Sequence, residues 1–166
     1  MIYVLDLNFL IDLCRIRGLF DLPRLAGELR MPDGAASNLN GNDARLLHQM
    51  PITLCELSGQ QMGDVLRLLA CHSGLGMADI QSLILARDLE ATLLTGAHSL
   101  QILARNIGVP TEDVLWVVDQ WVQEAVWSPA QALSALEKLL TSGKRVSRET
   151  QQVYVQAWGR INAKQI

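Results

Sequence analysis

The stretch GMADIQSLILARDLEATLLTGAHSLQILARN, residues 76–106, constrains this chain more than any other. It reads as helix, strand, helix. Asp79 stands in the first turn of the first helix, where the positive end of the helix dipole favours a carboxylate. Behind it Ile80, Leu83, Ile84, Leu85 and Leu89 leave most of the circumference apolar, the pattern of a helix pressed onto a sheet. Ala91 to Thr95 is a short apolar strand, and Gly96 breaks it. Leu100, Leu103, Ala104 and Ile107 supply the i, i+3, i+4, i+7 stripe of a second helix, with Gly108 as its C-terminal cap. A helix before a parallel strand runs antiparallel to it. Asp79 is therefore expected at the sheet edge where strands end, the edge along which open α/β sheets bind ligands.

The rest of the chain repeats the alternation. Ile2 to Leu5 is an apolar run ending in Asp6-Leu7-Asn8, a buried first strand with a carboxylate at its tip. Asn8 is placed to cap a helix over 9–17, stopped by Gly18. Residues 19–30 hold Pro23 and predict one short helix; Leu29 to Met31 is a second strand, halted by Pro32-Asp33-Gly34. The SNLNGND stretch is turn-rich, with a helical turn at 35–39 and another at 44–49. Residues 51–55 give a third strand that opens with a proline, as edge strands can. Ser58 caps a helix whose face is Met62, Val65, Leu66 and Leu69, and Val109 adds a short fifth strand.

From Thr111 on the pattern is helical. Glu112 and Asp113 suit a first turn, and Val114, Val117, Val118, Trp121, Val122 and Ala125 form a core stripe. Ser128-Pro129-Ala130-Gln131 is a capping box with proline at the first helical position; Gly143 ends that helix and Ser147 opens the last. Alternating strands and helices predict an α/β fold with a mostly parallel sheet and right-handed crossovers. With 49% apolar and 19% charged residues this is a globular chain, and its net charge of −3 speaks against a generally basic nucleic-acid binder. Charges interrupt every apolar run before it reaches membrane-spanning length, and no signal peptide is expected. Cys14, Cys55 and Cys71 are odd in number and set in apolar segments, so they read as buried thiols in a cytoplasmic protein.

VLDLNFLIDL at the start and GMADIQSLILARDLEATLLTGAHSLQILARNIGV later resemble the first and last blocks of the PIN domain family, close to the VapC-type toxins. The resemblance covers roughly residues 1–109. It implies a PIN-like open parallel sheet of about four or five strands flanked by helices, with residues 110–166 as a helical C-terminal extension packed on the same domain. It also implies a Mg²⁺- or Mn²⁺-dependent ribonuclease acting on RNA, with an antitoxin or other protein as partner. A hard divalent cation wants several oxygen ligands, which explains a cluster of acids at one sheet edge. Carried over, Asp6 and Asp79 match two acidic positions as metal and catalytic residues, with Asn8 as a polar support. Asn38, in Ser37-Asn38-Leu39, stands where the family has Glu-Leu, and Ala97 where it has Asp. The rival placement of Glu56-Leu57 leaves too little chain before Asp79. Thr95 and His98 complete the secondary site.

Two readings stay open. One is a ribonuclease with a weakened site, using Asp6, Asp79 and Asn38; the other is a PIN-like binding module without catalysis, acting through RNA or a protein partner. Each residue also has a plain alternative: Asp6 as a strand-end cap, Asp79 as a helix N-terminal acid, His98 as a solvated first-turn residue. Lys144, Arg145 and Arg148 are a solvated loop or a place for RNA backbone. Trp116 and Trp127 are spaced to share one helical side, opposite the Val114 to Val122 stripe. They pack beneath tail helices or form a homodimer or partner interface, where tryptophan is a favoured anchor.

Overall fold

The computed structural model describes residues 1–39 and 41–164, and Asn40, in the SNLNGND stretch, lies outside them. Contacts divide the chain into two compact units, Met1–Ile11 with Ala26–Asp113, and Asp12–Leu25 with Val114–Ile166. The first is built on a five-stranded parallel sheet, β1 (Ile2–Leu5), β2 (Glu28–Pro32), β3 (Ile52–Cys55), β4 (Thr92–Leu94) and β5 (Thr111–Glu112), in the order β3-β2-β1-β4-β5. The chain winds outward from β1 through β2 to β3, then crosses to β4 on the other side. The reversal of direction lies between β1 and β4, the place in an open α/β sheet beyond whose strand ends ligands are bound.

Apolar strands buried on both faces need helices over them. Helix α1 (Leu7–Ile16) follows β1 directly. Short helices α2 (Asp33–Ala36) and α3 (Gly41–His48) join β2 to β3, and α4 (Gly59–Cys71), α5 (Met77–Asp88) and α6 (His98–Asn106) complete the unit. Every residue of α5 from Ile80 to Ala86 is buried, because the helix lies on β1, β2 and β4 and also meets α2, α4 and α6. That accounts for its apolar circumference. Gly34 in α2 marks a close approach to α5: a Cβ there would lie 2.8 Å from Gln81 Nε2.

In the helical unit, α7 (Val114–Gln123), α8 (Pro129–Thr141) and α9 (Arg148–Lys164) pack pairwise around Trp121, Trp158 and Leu139, all fully buried. The capping box at Ser128 is formed, as is the one at Ser58 that opens α4. Gly108 and Gly143 take the left-handed conformation that ends their helices, with φ of 78° and 87°.

Several expectations are corrected. Asn8 does not cap a later helix: α1 begins at Leu7, and the Asn8 side chain turns to the sheet edge instead. Residues 19–30 are not one helix. Pro23 sits in a 3₁₀ segment, Leu19–Arg24, and β2 starts at Glu28. Glu112 and Asp113 are not first-turn acids, because Thr111–Glu112 pair with β4 before α7 begins. On α4, Leu66 points to solvent at 56% exposure. Cys14 and Cys71 are exposed, so the thiols are not a buried set. Lys144 is not solvated loop: its ammonium donates to the buried carboxylate of Asp12, which also accepts from Arg15.

The tryptophan face fails too. Helix α7 stops at Gln123, Ala125 turns the chain with φ of 56°, and Trp127 therefore does not continue the helical side that carries Trp116. Trp127 is buried, with its ring 4.8 Å from that of Trp121 and its indole N–H donating to Asp21 at 2.9 Å.

Candidate functional site

Asp6 follows the last residue of β1, and its N–H still donates to Leu94 O at 3.0 Å. The strand thus delivers the side chain to the sheet edge beyond the ends of β1 and β4, fully buried. Thr95, one residue past β4, is held the same way by its N–H to Glu112 O at 3.0 Å. Its hydroxyl donates to Asp6 Oδ2 at 2.8 Å and accepts from the Ala97 N–H at 3.1 Å. Asp79 comes from the other direction, at the start of α5. Its Oδ2 accepts the Gly76 N–H at 2.8 Å, capping its own helix.

Asn8 joins the two acids. Its amide nitrogen lies 3.2 Å from Asp6 Oδ2 and 3.3 Å from Asp79 Oδ1, donating to both. The structure so brings together Asp6, Asn8, Thr95 and Asp79. Asn38 is exposed, and its amide returns to Gly34 O at 3.3 Å. His98 is exposed at the first residue of α6, and Ala97 offers only its backbone. Two participants had no place in the sequence reading: Gln101, whose amide donates to Thr95 O at 3.1 Å, and buried Ser82, whose hydroxyl donates to Leu5 O at 3.4 Å. Ser82 lies one helical turn past Asp79, so helical spacing was the available signal for it. Gln101 had none, because its partner is a backbone carbonyl.

Burial pushes the Asp6 carboxyl up to about 6, and the nearby Asp79 charge adds to this; the hydrogen bonds from Thr95 and Asn8 hold it back. Burial likewise raises Glu112, with Asp113 contributing.

The residues present do not fit a resident divalent cation. Such an ion wants several oxygen donors facing one point. Here three of the four carboxylate oxygens of Asp6 and Asp79 already accept hydrogen bonds from Asn8, Thr95 or Gly76. An amide NH₂ stands between the two acids. Among the described residues no third His, Cys, Asp or Glu joins them. Asp6 Oδ1 is buried with no hydrogen-bond partner, the one unsatisfied oxygen of the pair.

A family model described as a PIN domain matches residues 2–160. The match runs past residue 109 through α7, α8 and most of α9, so the helical tail is covered as well as the sheet. No curated protein and no solved structure matches the chain. Among the described residues no helix is long and apolar enough to cross a membrane.

Proposed function

We propose that this chain, which belongs to the PIN domain family with its nuclease-like fold, acts by binding RNA or a protein partner rather than by cleavage. The observation that carries this reading is the Asn8 bridge. A donor group occupies the space between Asp6 and Asp79, and on the resemblance given above Asn38 and Ala97 stand where two further acids are expected. Each lost carboxylate weakens the local field that concentrates a hard cation.

A second reading is a metal-dependent ribonuclease of VapC type, using Mg²⁺ or Mn²⁺ and controlled by an antitoxin. One observation favours it: Asp6 Oδ1 remains unsatisfied beside a second carboxylate. One experiment separates the two. Melting temperature and cleavage of a mixed RNA pool are measured with and without millimolar Mg²⁺ or Mn²⁺. The expected result is no metal-dependent shift and no cleavage above the Asp79→Asn variant. Metal-dependent cleavage that disappears in Asp6→Asn and Asp79→Asn would establish the ribonuclease instead.

A further inference from the structure

The helical unit carries a groove that neither reading uses. Its inner part, a cleft of about 230 Å³, is lined by Ile16, Arg17, Asp21, Trp127, Gln131, Ser134 and Lys138. A larger outer cleft of about 450 Å³ shares Ser134 and Lys138 with it and adds Arg15, Glu137, Thr141 and Ser142. The two are continuous because Gln131, Ser134, Lys138 and Thr141 recur along one face of α8, while Ala132, Ala135, Leu136 and Leu139 bury the other.

Charge is distributed unevenly along this groove. Of the other cations nearby, Arg15 and Lys144 are held by Asp12, and Arg24 by Asp21. Arg17 and Lys138 form no ion pair among the described residues, yet both line the inner cleft. Asp21 is compensated, accepting from the Trp127 indole and facing Arg24 at 3.7 Å. Glu137 lines only the outer cleft. A guanidinium fork and an ammonium around one small cleft, with a hydroxyl at Ser134 and the amide NH₂ of Gln131, are donors suited to several oxygens on one centre.

We propose that this groove binds phosphate esters, with Arg17 and Lys138 holding the phosphate oxygens in the inner cleft. The outer cleft then takes the organic part of a mononucleotide or the next phosphates of a nucleic-acid strand. Both sources share the same anionic group, and binding separates them.

Arg17 permits a clean test. It occupies the left-handed position that closes α1, with φ of 61°, where glycine is the conformationally favoured residue. Arg17→Gly therefore removes the cation while easing the turn. Binding of adenosine 5′-monophosphate and of a short oligouridylate is measured by calorimetry in the presence of EDTA. At least one probe should bind saturably. Arg17→Gly and Lys138→Gln should each weaken it about tenfold or more without lowering the melting temperature, and Lys138→Arg should retain it. Oligouridylate binding that is much tighter, with affinity falling steeply as salt rises, assigns the groove to a strand; equal affinities assign it to a nucleotide. Absence of binding by both probes at millimolar concentration, or binding indifferent to Arg17→Gly and Lys138→Gln, overturns the proposal. EDTA keeps this result separate from the metal assay, so either conclusion can fail alone.

Discussion

At the scale of single residues, Asp6 sets the behaviour of the sheet edge. Its carboxyl is raised to about 6 chiefly because burial disfavours the charged form, and Thr95 and Asn8 compensate only in part. Between an unfolded value near 4 and the folded value, the folded chain holds a proton that the unfolded chain releases. Stability should thus fall as pH rises through this window and level off above it, by about 3 kcal/mol for a carboxyl raised to about 6. Asp6→Asn has no charge to desolvate, while its remaining oxygen can still accept from Thr95 and Asn8. Melting curves at pH 5 and pH 7.5 should show a drop for the wild type and a much smaller one for Asp6→Asn. Equal drops would mean that Asp6 is solvated. Thr95→Val removes the donor that most opposes the shift, and at neutral pH it should cost about 1–3 kcal/mol in chemical denaturation.

At the scale of elements, helix ends carry the sharpest contrasts. Helices α1, α5 and α7 close with Arg17, Glu90 and Ala125 in the left-handed region, whereas Gly108 and Gly143 do the same for α6 and α8. A Cβ in that conformation costs about 1 kcal/mol relative to glycine. Ala125→Gly should accordingly raise the melting temperature. Gly18, directly after Arg17, behaves oppositely: its φ of −94° suits any residue, but a Cβ there would stand 3.0 Å from the Trp121 ring. Gly18→Ala should destabilise by about 1–3 kcal/mol through crowding of a filled core. If both substitutions moved stability the same way in a denaturant titration, these two causes would not be the ones at work.

At the scale of the molecule, protection should follow the sheet order. Strands β1 and β4 lie inside, and α5 is covered by sheet and helices, so their amides should open last. β3 is an edge strand with Thr53 and Leu54 exposed. Hydrogen exchange followed by mass spectrometry should show peptides covering β1, β4 and α5 as the slowest of the sheet unit and β3 as the fastest strand. Slower exchange in β3 than in β1 would contradict this arrangement.

Much of the fold was legible in local patterning. Short apolar runs fall at all four longer strands, Ser58 and Ser128 announce their helices, and the unbroken apolar surface of α5 marks a helix covered on several sides. Period and capping are properties of neighbours in the chain, so they can be read without the fold. The two carboxylates at one sheet edge were legible for the same reason, each being tied to the end of an element. Asn8, Trp127, Lys144 and Gln101 were not. Asn8 had the composition of a cap, yet its partners Asp6 and Asp79 meet only after the chain crosses from β3 to β4. Trp127 shares a helical period with Trp116, and the turn at Ala125 cancels it. Lys144 looked like loop charge until Asp12 came beside it. The sequence by itself determined most of the helices and strands and the local caps at Ser58 and Ser128; tertiary structure decided the rest, including what Asn8, Trp127 and Lys144 face, because hydrogen bonds and ion pairs between distant residues depend on distances that the chain closes only when folded.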